Sequence, residues 1–234
     1  MKNPERKTTP DIRQNIIRRL FQVAFYTVVP AFLLFVSAGT LKWPIVWLYL
    51  LLSVAVIAIN ALIFPPELIA ERGKKKENVE EWDQRITSLL FIPWIGLFVV
   101  AGLDLRFGWT TEMPVWTAVL GLAIFILGSA LVSWAMVSNQ YFSTVVRIQY
   151  ERGHKVCSSG PYRYVRHPGY LGMIAYQLFS PLIFGSLWAF IPAGLMAALF
   201  LLRTAREDRT MKEKLEGYQE YSERVRWRMA PGVW

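Results

Sequence analysis

The chain has 234 residues, of which 54% are hydrophobic and 18% charged, with aromatic residues making 15%. Globular domains carry nearer a quarter charged residues, so this balance argues against a soluble domain and suits a membrane protein with aromatic belts. One cysteine excludes an internal disulfide framework and any multi-cysteine zinc site, two histidines leave little for a metal centre, and the net charge of +9 calls for nucleic acid or anionic lipid as a partner.

In chain order, uncharged apolar stretches occupy residues 21–41, 43–66, 86–103, 114–146 and 169–202. A crossing needs about 20 apolar residues, so the first three predict single spans and the fourth a span with an extension. The last stretch is too long for one crossing. Gly185 and Ser186, flanked by Pro181 and Pro192, predict a helical hairpin there. The expected fold is an all-α, multi-pass bundle of about five or six membrane helices, with no signal peptide. Residues 1–138 are expected to hold the N-terminal membrane helices, and residues 139–234 a catalytic region.

Lys and Arg number six before residue 21, five in residues 72–85, five in residues 147–166 and eight from residue 203 onward, together 24 of 26. Lys42 and Arg106 alone fall on the opposite side. This asymmetry predicts cytoplasmic termini, and it explains the basic charge through membrane topology without nucleic acid. In a bacterium the membrane would be the inner one. Lys74-Lys75-Lys76 is expected to meet anionic headgroups, and residues 67–83 to form an amphipathic connector.

Both histidines, the cysteine and many aromatic and basic residues gather in residues 139–170. Pro168 suits the first turn of a helix entering the membrane, which puts His167 at the cap beside free N–H groups able to hold a carboxylate or phosphate. Gly169 and Gly172 are expected to allow close approach of a ligand. Where the last span ends, Arg203 and Glu207 are four apart and share a helix face, whereas Asp208 points about 100° away. Spacing alone fits a snorkelling arginine with an i,i+4 partner as well as a site for a charged ligand.

The stretch Gly160-Pro161-Tyr162-Arg163-Tyr164-Val165-Arg166-His167-Pro168-Gly169-Tyr170-Leu171-Gly172 resembles the GxYxxxRHPxYxG signature of the isoprenylcysteine carboxyl methyltransferase family. Further landmarks follow the family's order: His154 eight residues before Tyr162, a hairpin, Arg203 with Glu207, then Tyr218 and Tyr221 with a basic stretch ending at Pro231. The resemblance implies an integral membrane enzyme using S-adenosylmethionine at a cytoplasmic site, and a lipophilic methyl acceptor, prenylated or lipid-like. It places His154, Lys155, Val156 and Cys157 along the cofactor with Tyr162 beside it. His167, Pro168, Gly169 and Tyr170 form the other wall, Glu207 reaches the cofactor, and Arg203 contacts the acceptor. A Gln of eukaryotic members that touches the cofactor is Arg147 here, with Gln149 nearby.

The chemistry is coherent: Glu207 suits the cofactor's ammonium, the helix start its carboxylate, and tyrosines its adenine or sulfonium. Two other enzyme readings stand beside it. Membrane sterol reductases, which use NADPH, share an RHPxYLG-like stretch, an ARxD-type helix matched by Ala205-Arg206-Glu207-Asp208, and a Pro-Gly-aromatic end, although a His often precedes that helix motif where this chain has Leu202. Phospholipid N-methyltransferases are related membrane enzymes with an amine acceptor. A transporter is disfavoured, because the polar residues gather at one surface and no repeated halves are evident.

Overall fold

The computed structural model describes residues 9–74, 76 and 78–234, with side chains from residue 12 onward. The arm up to Lys7 and the central lysine of Lys74-Lys75-Lys76 lie outside the described residues. Among the described residues there are eight α-helices and no strand. They are α1 (Thr9–Ala38), α2 (Pro44–Ile63), α3 (Pro66–Gly73), α4 (Glu81–Phe107), α5 (Val115–Ser138), α6 (Pro168–Phe184), α7 (Phe190–Lys214) and α8 (Tyr218–Arg224). The chain is thus an all-α bundle of the multi-pass membrane type. Helices α1, α2, α4 and α5 are long and apolar enough to cross a membrane. Helices α6 and α7 add the hairpin expected in residues 169–202.

Local sequence explains the boundaries. Proline occupies the first turn of α2, α3 and α6, where its missing N–H costs nothing. Gly185 ends α6 at φ 68°, a left-handed conformation natural to glycine, and makes the hairpin turn. Asp104 at the end of α4 secures this turn: its carboxylate accepts from the Ser186 hydroxyl at 2.5 Å and the Thr110 hydroxyl at 2.6 Å. Helix α1 starts well before residue 21, since nothing in residues 12–20 breaks a helix. The extension of the fourth stretch beyond Ser138 is a loop rather than helix.

Contacts fix the directions. Gly102 of α4 lies against Ser37 of α1, and Gly128 and Gly121 of α5 against Gly172 and Ile183 of α6. Helices α1, α4 and α6 therefore run from one end of the bundle to the other, and α2, α5 and α7 return. Residues 139–167 and 203–234 meet at the starting end, while Lys42 and Arg106 lie at the far end. Large apolar residues such as Phe21, Leu62, Val115 and Leu127 face outward, as a bilayer requires. The interior cluster, with Leu34, Leu97, Ile183, Ala193 and Met196 fully or almost fully buried, ties α1, α4, α6 and α7 together.

The expectations for Lys76 and Gly172 are corrected here. Residues 67–83 bury one face, as an amphipathic connector does, but that face carries acids: α3 packs on α1, Glu71 is buried against Arg147 at 3.2 Å and Lys76 at 2.8 Å, and Asp83 is wholly buried. Lys76 is thereby committed to an internal pair instead of headgroups. Gly172 does not admit a ligand. A Cβ placed there would sit 2.5 Å from the Gly128 carbonyl oxygen and 2.8 Å from a Val132 methyl, so glycine serves close packing of α5 on α6. Gly172→Val is expected to destabilise by about 1–3 kcal/mol, the range for overpacking, read as a lower thermal midpoint in detergent.

Candidate functional site

A cavity of about 1000 Å³ opens at the basic end and continues as an apolar cleft between α1, α2, α4, α5 and α6. The 139–167 loop, the start of α6, the charged half of α7 and α8 wall its polar chamber. The loop lacks regular structure apart from two single 3₁₀ turns, so side chains and the C-terminal tail must hold it. The Arg166 and His167 N–H groups donate to the Trp227 and Arg228 carbonyls at 3.0 and 2.7 Å.

Asp208 is the centre of that attachment. Arg166 meets it with Nε and Nη2 at 2.7 and 3.0 Å, Arg228 Nε donates at 3.0 Å, and the Tyr218 hydroxyl at 3.1 Å. His167 Nε2 lies 3.3 Å away. Burial alone would raise the Asp208 carboxyl, but the hydrogen bonds to His167 and Arg166 outweigh it and hold the group well below the carboxylate range. Arg166 spends Nη1 on the Val225 and Arg226 carbonyls, both at 2.7 Å.

Arg203 and Glu207 do share a face, yet Arg203 finds its partner elsewhere. Its Nε and Nη2 contact the Asp83 carboxylate at 2.6 and 3.1 Å, and Nη2 also donates to the Thr144 carbonyl at 3.0 Å. The guanidinium lies 5.4 Å from the Tyr170 ring centre. Glu207 Oε2 accepts from the Tyr170 hydroxyl at 2.5 Å, and among the described residues no ion pair engages it. A carboxylate lining the chamber is thus held by a hydroxyl alone.

On the opposite wall, His154 packs on Tyr141 at 4.5 Å between ring centres, and its Nδ1 accepts the Gln149 N–H at 3.3 Å. Burial, then the charges of Arg152 and Arg147, push the His154 pKa down to about 4, so the imidazole is neutral at physiological pH. The Cys157 thiol donates to the Ser138 carbonyl at 3.2 Å. Tyr162 is buried, and its carbonyl accepts from Tyr221 at 2.8 Å.

Of the residues selected from sequence, His154, Lys155, Val156, Cys157, Tyr162, His167, Gly169, Tyr170, Arg203 and Glu207 all line the one cavity. Pro168 is fully buried and does not line it. The helix start offers less than expected to an anion. The His167 N–H is taken by Arg228, those of Tyr170 and Leu171 by the His167 carbonyl, and only Gly169 keeps a free N–H among the first residues. Gln149 is spent on Tyr141 and Arg152, both at 2.6 Å, and is absent from the cavity wall, whereas Arg147 reaches it. Asp83, Glu71 and Tyr141 were not selected from sequence. The available signal for Asp83 was an acid preceding an apolar span at the end where Arg203 leaves one.

Residues 119–213 match the model of the isoprenylcysteine carboxyl methyltransferase (ICMT) family. A probable protein-S-isoprenylcysteine O-methyltransferase of Oryza sativa subsp. japonica is 32% identical over 119 residues, covering 45% of this chain and 57% of the relative. Protein-S-isoprenylcysteine O-methyltransferase B of Arabidopsis thaliana is 27% identical over 113 residues, covering 47% and 57%. The Schizosaccharomyces pombe protein-S-isoprenylcysteine O-methyltransferase is 29% identical over 107 residues, covering 44% and 45%. The chain spans about half the length of the curated relatives it matches. The matched region contains the cavity-lining loop, the start of α6 and the Arg203–Glu207 face of α7, so it is in these residues that the chain is similar to the isoprenylcysteine carboxyl methyltransferase family.

Proposed function

We propose that the protein is a membrane methyltransferase that takes its methyl group from S-adenosylmethionine and gives it to a lipophilic carboxylate, as in S-isoprenylcysteine O-methylation. The observation that carries this reading is Glu207. In a chamber at the most basic end of the molecule, it is a carboxylate with no cationic partner among the described residues, beside the Tyr170 ring and opposite His154. A ligand ammonium fits that position, and the tyrosines suit an adenine.

In this reading residues 139–234 form the catalytic region and residues 1–138 supply helices and the α3 wall. The basic end is cytoplasmic, as the charge asymmetry favours. His154, Lys155, Val156 and Cys157 line the cofactor on one side, Tyr162, His167 and Tyr170 on the other, and Pro168 sets the helix start from behind. The Gly169 N–H is the amide left for a carboxylate. When bound, the cofactor supplies a methyl group on a sulfonium. Arg203, held in place by Asp83, keeps Nη1 for the acceptor, and its planar donor fork favours an ionised carboxylate over an amine.

Glu207→Gln tests the reading. Losing a charged hydrogen bond costs about 1.5–3 kcal/mol, so S-adenosylhomocysteine should bind roughly 10- to 150-fold more weakly by calorimetry in detergent. Unchanged affinity removes Glu207 from the site. Binding of NADPH in place of S-adenosylhomocysteine overturns the methyltransferase reading. The acceptor is identified by incubating labelled cofactor with native membranes and finding the fraction that takes up label.

A further inference from the structure

Beyond the polar chamber, the apolar cleft contains cations that no residue of the chamber uses. Arg72 at the end of α3 lies over the Phe142 ring, 5.5 Å from its centre. That ring also crowds Gly169, where a Cβ would come within 2.7 Å of it. Arg72 is therefore one aromatic ring from the start of α6. Its Nε and Nη1 are shielded from solvent and meet no acceptor among the described residues, although both atoms are strong donors.

Arg19 of α1 also lines the cleft and donates to the Gln22 side chain at 3.1 Å. No carboxylate pairs with either arginine among the described residues, whereas Arg147, Arg166 and Arg203 are all paired with acids. Burial, and then the charge of Arg19, lower the Arg72 guanidinium to about 9, which leaves it cationic at neutral pH. Asn60 Oδ1 of α2, also on the wall of the cavity, meets no donor among the described residues.

A shielded guanidinium such as Arg72, with Arg19 beside it and no acid paired to either among the described residues, is costly unless a ligand brings countercharge. We infer that Arg72 and Arg19 form a binding site for the oxyanion of an amphiphile, a carboxylate or phosphate whose hydrocarbon tail lies in the cleft between α1, α2, α4 and α5. If the methyltransferase reading holds, the site lies on the acceptor's path to the chamber. The anion site itself does not rest on that reading.

The experiment measures binding to the purified full chain in an uncharged detergent. The probes are a farnesylated cysteine with a free carboxylate, its neutral methyl ester, dodecyl phosphate and inorganic phosphate. The free acid and dodecyl phosphate should each bind roughly tenfold or more tightly than the ester, and the tighter of the two identifies the source as acceptor-like or phospholipid-like. Arg72→Gln should erase the preference for acid over ester, with Arg72→Lys retaining part of it, and neither should change the affinity for S-adenosylhomocysteine. Equal binding of acid and ester to the native chain overturns the proposal. So does a preference that survives Arg72→Gln, or inorganic phosphate binding as well as the amphiphiles. If S-adenosylhomocysteine fails to bind the native chain while the acid preference persists, the methyltransferase reading falls and the anion site stands.

Discussion

Asp208→Ala is expected to detach the 163–167 loop and the C-terminal tail from α7 and to cost about 3–5 kcal/mol of stability, the range for removing one partner of a buried ion pair. Asp208 receives Arg166, Arg228 and Tyr218 within 3.1 Å and is almost wholly buried. Its loss leaves the Arg166 guanidinium buried with carbonyl partners only. Hydrogen exchange at the Arg166 and His167 amides, which are bonded to Trp227 and Arg228, should accelerate by at least the corresponding factor. Unchanged protection at those two amides would show that the tail is held by something other than Asp208. The sign of the pH dependence follows from the depressed carboxyl. Its contribution is complete above the ordinary value of 3.8 and is lost only as pH falls below it, so the Asp208 carboxyl itself brings no pH dependence near neutrality.

Asp83→Ala should be of similar size, about 3–5 kcal/mol, because it strands the buried Arg203 and removes the acceptor of the Val146 N–H at 2.8 Å. The double variant Asp83→Ala with Arg203→Met distinguishes a lost ion pair from lost packing. Removing both charges should restore much of the thermal midpoint, leaving mainly the unsatisfied Val146 amide. If the double variant is as unstable as Asp83→Ala alone, the pair is not what holds α4 to α7 at this end. Functionally, Asp83→Ala should lower turnover more than cofactor affinity, because it frees the arginine proposed to face the acceptor while leaving Glu207 and Tyr170 in place.

Much of this was legible from sequence because its causes are local. Charge-free runs of about 20 residues declare membrane helices without knowledge of their neighbours, and Gly185 declares the hairpin turn through its own backbone preference. The motif from Gly160 to Gly172, with His154, Arg203 and Glu207, marked the residues that converge on the cavity, since their order and spacing carry the family pattern.

Only the tertiary structure decided the partners. On spacing Arg203 looks paired with Glu207, but the acid that satisfies it is Asp83, 120 positions away and brought near by antiparallel packing of α4 on α7. Among the described residues that exchange leaves Glu207 without an ion pair, held by the Tyr170 hydroxyl. Sequence position suits Gly172 to a ligand and Lys76 to headgroups, but packing sets Gly128 against the one and Glu71 against the other. A sequence fixes which charges exist and which helices form. Which charges neutralise each other is set by distances below about 4 Å between segments remote in the chain, and that Glu207 in the chamber and Arg72 in the cleft have no ion pair among the described residues emerges only after that assignment.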